Sequence, residues 1–260
     1  MFCLVSADSP FFHQDFHSSL GRQHSQSVQL PLEGQDRFEI EGLEKMVEEL
    51  YLDYEVVFYH NEDPSSTSAL RIEQQRIRDR AIEITATTIV PCSTQEASAM
   101  LWRDSITIHH YSDKSYRFRQ PSSVEKNFVL VLQSSAGALE LNGFTFIRKI
   151  EEPNRVVLVE AARILLVTGG LQFRMQRWTT ITRLEAEPRP SSVVCTLLQL
   201  HAEYTGDFTG EKEQLRELEA IVMEMLSQRM QNYIQQQQEE IVQKAVRFRM
   251  STAAGISAAV

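Results

Sequence analysis

Over residues 81–90 the chain alternates. Ile82, Ile84, Ala86, Thr88 and Val90 fall on one side, Glu83, Thr85 and Thr87 on the other. A period of two predicts a half-buried strand, and Pro91 ends it. Ser93-Thr94-Gln95-Glu96 then forms a capping box: the serine accepts from the third amide and the glutamate reaches back. A short helix follows, carrying Ala97, Met100, Leu101 and Trp102. Short strands are read at Ile106–Ile108, Tyr116–Phe118 and Phe128–Leu132. Longer ones at Phe144–Glu151 and Arg155–Leu165 flank Glu152-Pro153-Asn154-Arg155, where proline fits the first corner of a type I turn. Pairing about that turn sets Phe146 opposite Ala161, Arg148 opposite Val159 and Ile150 opposite Val157.

Gly169-Gly170 marks another reversal. Trp178–Leu184 and Val193–Tyr204 read as the last two strands, with Glu185–Ser192 turning between them. Phe173 and Met175 share a parity that Trp178 breaks, and a bulge near Arg177 reconciles them. The final strand places Val194, Thr196, Leu198, Leu200, Ala202 and Tyr204 on one side and Gln199, His201 and Glu203 on the other.

Two segments follow the helical period instead. Between Arg37 and Phe58, Leu43, Met46, Val47, Leu50, Tyr54, Val57 and Phe58 share a face, with Glu39, Glu41 and Glu44 early, where the helix dipole favours carboxylates. From Glu211, after Asp207-Phe208-Thr209-Gly210, Leu215, Leu218, Val222, Met225, Leu226, Met230 and Tyr233 make one apolar stripe. The stripe weakens at Gln235–Gln238 and resumes at Ile241, Val242, Ala245 and Val246. Residues 211–234 are therefore expected to pack on the sheet, 235–250 to project as a solvated extension or a partner-binding coil, and Ser251–Val260 to fray. The expected organisation is a disordered tail over 1–36, a helix and linker over 37–68 with linker chemistry at His60–Ser68, a main domain over 69–234 and a helical extension over 235–260.

Composition narrows the function classes. A formal net charge of −9 makes the chain a poor partner for a nucleic-acid backbone or for anionic lipid by charge alone. Cys3, Cys92 and Cys195 form no CxxC pair, so neither a disulfide framework nor a zinc site is expected, and a reducing, cytoplasmic setting fits. The apolar opening Met1–Val5 is too short for a signal core, and no run reaches the roughly 18 residues of a membrane span.

Candidate chemistry is sparse. His109 and His110 are adjacent and would point to opposite faces of a strand, so they do not share a metal. Cys195 and His201 share a face but sit six residues apart, roughly 20 Å along a strand, beyond a nucleophile–base contact. Most glutamates fall in helical or turn segments expected to be solvated, so no two-carboxylate pair is evident. Asn142-Gly143 reads as a turn without the strand-to-helix switch of a phosphate loop. No metal, cofactor or catalytic residue is expected. Arg148 shares parity with Phe144, Phe146 and Ile150 and so needs a partner: a carboxylate at the sheet edge, a snorkelling path, or a ligand's polar head.

The order of strand, capped helix, antiparallel strands and long terminal helix resembles the START and Bet v1-like helix-grip superfamily. Ala81–Trp102 looks like that family's opening. Glu151-Glu152-Pro153-Asn154-Arg155-Val156-Val157 is similar to the Glu-x-Pro-x-Arg-Val-Val stretch of oomycete START-like proteins, and the Arg177-Trp178 strand and terminal helix match that group too. The resemblance covers about 70–240; the basic leucine zipper often upstream in that group has no counterpart in this sequence.

It implies an α+β domain, a curved antiparallel sheet wrapped around a C-terminal helix, with a cavity between them for a lipid or other small hydrophobic ligand and no catalytic residue. The expected wall is Phe128, Leu130, Phe146, Trp178, Leu198, Leu200, Val222 and Met225, with Arg148 as the polar member. The alternative is a protein-interaction module with a filled core, using the glutamine-rich extension; a cyclase-type enzyme is a third.

Overall fold

Both rhythms produce the elements they predict, in a computed structural model that describes residues 34–59, 70–78, 80–106, 114–134, 137–167, 170–185, 190–205 and 212–257. The readings at 1–33, His60–Ser68, His109-His110, Gly169 and Asp207–Gly210 lie outside the described residues. The strands are β1 (Leu70–Arg78), β2 (Ala81–Val90), β3 (Lys114–Gln120), β4 (Ser123–Ser134), β5 (Gly137–Glu151), β6 (Arg155–Leu166), β7 (Leu171–Arg183) and β8 (Ser192–Tyr204). The helices are α1 (Gly34–Leu52), α2 (Tyr54–Tyr59), α3 (Thr94–Ile106) and α4 (Lys212–Ser257). The strands form one curved sheet in the order β1-β2-β8-β7-β6-β5-β4-β3, with every neighbouring pair antiparallel.

The β5–β6 ladder has the expected register, with Phe146 opposite Ala161, Arg148 opposite Val159 and Ile150 opposite Val157. Other local readings are corrected. Ile106 closes α3 rather than opening a strand. Asn142 and Gly143 lie within β5 and pair with β4 and β6, so they do not turn. The Arg37–Phe58 helix is two helices, divided at Asp53. β1 had no reading of its own.

The sheet has two buried faces, and this reorganises the rest. No bulge occurs near Arg177: β7 keeps an unbroken register with both β6 and β8. Trp178 breaks parity with Phe173 and Met175 because it faces the other way. On this outer face Phe146, Val157, Val159, Ala161, Trp178 and Leu197 pack against Ile40, Leu43, Val47, Leu50, Tyr54 and Phe58 of α1 and α2. The Trp178 indole donates to the Leu50 carbonyl at 2.9 Å, near the end of α1. Ion pairs rim the contact, Arg163 with Glu39 at 2.5 Å and Arg148 with Glu44 and Glu48 at 3.5 and 3.1 Å. The Glu152–Arg155 corner holds the helix break: Tyr51 donates to Glu152 at 3.0 Å, and the Arg155 guanidinium lies 4.3 Å from the Tyr54 ring centre.

α4 runs along the inner face, and α3 meets it at one end. Val90, Leu158, Ile181 and Val194 of the sheet gather there with Ala97 and Leu101 of α3 and with Ile241 and Ala245 of α4. The second half of α4 therefore does not project. Gln237 and Gln238 are buried, and the helix continues to Ser257 instead of fraying at Ser251. A polar run stays packed here because the glutamines have partners inside.

The capping box of α3 forms as written. The Glu96 amide donates to Ser93 Oγ at 3.3 Å, and the Ser93 amide donates to Glu96 Oε2 at 2.9 Å. The Ser93 side-chain and backbone bonds hold the Glu96 carboxyl below its usual range. Ser93→Ala should lower stability by about 1 kcal/mol at neutral pH. A depressed carboxyl contributes fully above its unfolded value and loses that contribution as pH falls through its folded one. The gap between the denaturant melts of the two proteins should therefore narrow in acid without closing, because Ser93 Oγ still accepts from the Glu96 amide when the carboxyl is protonated.

Candidate functional site

The inner face is built in rungs, because directly opposed residues in an antiparallel ladder share a face. Ala202, Phe173, Ile164, Gly143 and Phe128 form one rung across β8, β7, β6, β5 and β4. Leu130, Leu141, Leu166 and Leu171 lie beyond it, and Ile82, Leu200 and Met175 lie on the next rung inward. Leu215, Val222, Met223 and Leu226 of α4 cover this layer, with Leu218, Met225 and Met230 packed against it. Gly143 is required here for space: a Cβ would run into the ring of Phe128. The glycine lets that aromatic ring lie flat across the neighbouring strand.

Below the apolar layer the face turns polar. Arg177 of β7 sits opposite Glu160 of β6, and their side chains meet at 2.5 Å, 6% and 12% exposed. Burial alone would lower the Arg177 pKa, but Glu160, Tyr233 and Asp104 more than reverse that and raise it. The Arg177 guanidinium lies 5.5 Å from the centre of the Tyr233 ring. Tyr233 donates to Asp104 of α3 at 3.1 Å, and Gln237 Nε2 donates to the same carboxylate at 2.5 Å. Burial pushes the Tyr233 phenol up, so it remains a donor. Lys126 of β4 donates to the Ser105 carbonyl, in the last turn of α3, where a cation is favoured by the helix dipole. Burial lowers the Lys126 amine. Toward the other edge Thr179 and Thr196 meet at 3.1 Å, and Thr88 donates to Gln238 Oε1 at 2.5 Å. These groups form a belt between two apolar clusters, tying α3 and α4 to the sheet.

The predicted wall residues separate. Phe128, Leu130, Leu198, Leu200 and Val222 come together in the inner cluster, with Met225 packed against it. Phe146 and Trp178 lie on the outer face under α1 and α2. Arg148 is on that face too, paired with Glu44 and Glu48, so its partner is a carboxylate at the sheet surface and not a ligand head. Parity put Arg148 correctly beside Phe146, but the face they share is not the one α4 covers.

Sequence reasoning missed Glu160, Arg177 and Tyr233 as a site, having placed most glutamates in solvated segments. The available signal was the single glutamate of β6 and the Arg177 of β7, each on the parity of buried apolar neighbours. Among the described residues no three His, Cys, Asp or Glu side chains are grouped to hold a metal, and no helix is long and apolar enough to cross a membrane. Burial pushes the Cys92 thiol up to about 11, which suits packing more than reactivity.

No family model and no curated protein matches the chain. Solved structures to which it is similar include human STARD10, 9% identical, with 89% of this chain and 87% of that one covered at a TM-score of 0.44. Another is a STAR-related lipid transfer protein fragment from Xanthomonas axonopodis, 9% identical over 54% of this chain and 79% of that one, TM-score 0.36. A third is Ara h 8.0201, 11% identical over 64% and 99%, TM-score 0.38. One antiparallel sheet laid around a long terminal helix is a helix-grip arrangement.

Removing one member of the buried ion pair strands the other. Arg177→Met should cost about 3–5 kcal/mol because Glu160 is left charged and dry. Arg177→Met combined with Glu160→Leu should recover most of that loss, as measured by guanidinium denaturation. Equal losses in the single and double variants would contradict the pairing.

Proposed function

We propose that this helix-grip chain binds a small hydrophobic ligand, without catalysis, between the inner face of the sheet and the first half of α4. The observation that supports this is the placement of a broad apolar layer against a buried polar belt. Phe128, Leu130, Leu198, Leu200, Val222 and Met225 supply the apolar part, with Phe173 and Met175 beside them. Arg177, Glu160 and Tyr233 replace Arg148 as the polar members. An apolar site with a few directed polar groups is the usual construction for holding a small molecule in one orientation. Methionines on α4 and β7 suit such a site, since their side chains adapt to irregular shapes.

The interaction-module alternative required 235–250 to stand clear of the domain. Gln237, Gln238, Ile241 and Ala245 are buried instead, so that segment is not a free coil. The net charge of −9 supports a chain that works without nucleic acid.

The test is uptake of diphenylhexatriene, a neutral apolar dye, by the purified full chain. The unaltered protein should take up dye with saturation. Leu200→Trp, which fills the inner layer, should weaken uptake about tenfold or more, whereas Arg148→Met on the outer face should leave it unchanged. A folded protein that takes up no dye, and that carries no apolar molecule in native mass spectrometry, would overturn the reading.

A further inference from the structure

Lys126 stands where the apolar layer meets the belt. Across the inner face it shares a rung with Thr145, Ala162, Met175, Leu200 and Ile82, on β5, β6, β7, β8 and β2. Met175, Leu200 and Ile82 belong to the inner apolar cluster, as does Phe128, the next residue of β4 on the same face. Thr145 and Ala162 are short, so the bulk of this rung lies at the lysine on one side and at the three apolar residues on the other. Val124, on the far side of Lys126, begins the rung of Ile147, Glu160 and Arg177.

The two cations at this boundary are held differently. Arg177 meets the carboxylate of Glu160 at 2.5 Å. The Lys126 amine donates instead to a neutral acceptor, the Ser105 carbonyl in the last turn of α3. An uncharged amine keeps such a bond through one N–H while its nitrogen lone pair points elsewhere. Burial lowers the Lys126 pKa and Arg177 adds to that, whereas Glu160 and Asp104 oppose it; the outcome is a lowered value. A partly desolvated lysine beside a second cation is the setting in which this side chain becomes a nucleophile.

We propose that Lys126 captures apolar ligands bearing an aldehyde or ketone as a reversible imine. The proposal rests on the reading of the inner layer as a ligand site, and it adds covalent capture to that reading without turnover. The amine lone pair bonds to the carbonyl carbon, and the π pair of the C=O bond moves to oxygen. Both protons of the neutral amine pass to that oxygen, which leaves as water as the C=N bond forms. Nothing is oxidised or reduced, and addition of water releases the ligand unchanged. Asp104, which interacts with the amine, and the Tyr233 hydroxyl bonded to it at 3.1 Å are the groups at hand to carry the protons.

Dodecanal added to the full chain at neutral pH with sodium cyanoborohydride tests it. The reductant fixes an imine as a secondary amine, and peptide mass spectrometry then locates the dodecyl group. The chain has six lysines, of which Lys45 and Lys244 are exposed and serve as internal controls. Among the six, Lys126 should carry most of the label. Lys126→Arg keeps a cation for the Ser105 carbonyl and should lose that label without raising it at Lys45 or Lys244. Lys126→Met serves if the arginine variant does not fold, as judged by a denaturant melt. Lys244→Arg should leave the label at Lys126 unchanged. A folded chain that takes up diphenylhexatriene but labels Lys126 no more than Lys45 or Lys244 would overturn the imine site while leaving the ligand site standing. Absence of dye uptake by the folded unaltered chain would remove both.

Discussion

The central strands of this sheet are apolar on both faces, and neither face tolerates water. In β6, Val156, Val157, Leu158 and Val159 are all buried although successive side chains point to opposite sides. Such a sheet needs two covers. α4 supplies one, and α1 with α2 supplies the other. Each large aliphatic or aromatic side chain removed from water contributes roughly 1.5–3 kcal/mol. The half-exposed ion pairs around α1 contribute at most about 1 kcal/mol each. Hydrophobic burial therefore holds the helices on, and the arginines at 148, 155 and 163 set their position.

The ladder was legible because alternation and turn chemistry are local. The β5–β6 pairing follows from one proline corner, and the β2 face from five alternating residues. The assignment of faces to covers was not legible. Parity establishes that Phe146 and Arg148 lie together, but Phe146 and Ile147 are both fully buried, so hydrophobicity does not tell the two sides apart. The change of parity at Trp178 reflects that ambiguity. A strand with apolar residues at both parities reads as a shifted strand when only one cover is considered.

The polar belt was hidden for a different reason. Gln237 and Gln238 stand in a run of four glutamines followed by two glutamates, which reads as solvated on composition. Gln235 and Gln236 do bond only along the helix, to Glu239 and Glu240. Their neighbours turn inward toward Asp104 and Thr88, residues more than a hundred positions away in sequence. The helical period does separate the two pairs, since Gln237 and Gln238 stand three and four residues from both Ile234 and Ile241, but their polarity hides the stripe. The packing of α3 and β2 against the helix supplies the partners that let this polar stretch stay buried.

The unbroken register of β7 has an evolutionary consequence. Arg177 and Trp178 are adjacent, yet one serves the layer beneath α4 and the other the layer beneath α1. A one-residue insertion or deletion ahead of them would exchange their sides, sending the indole toward Glu160 and the guanidinium toward Leu50. Length change in this strand is therefore as damaging as any point substitution in it. Sequence drift at β7 is confined to replacements that conserve spacing, while the connections before and after it remain free to vary in length.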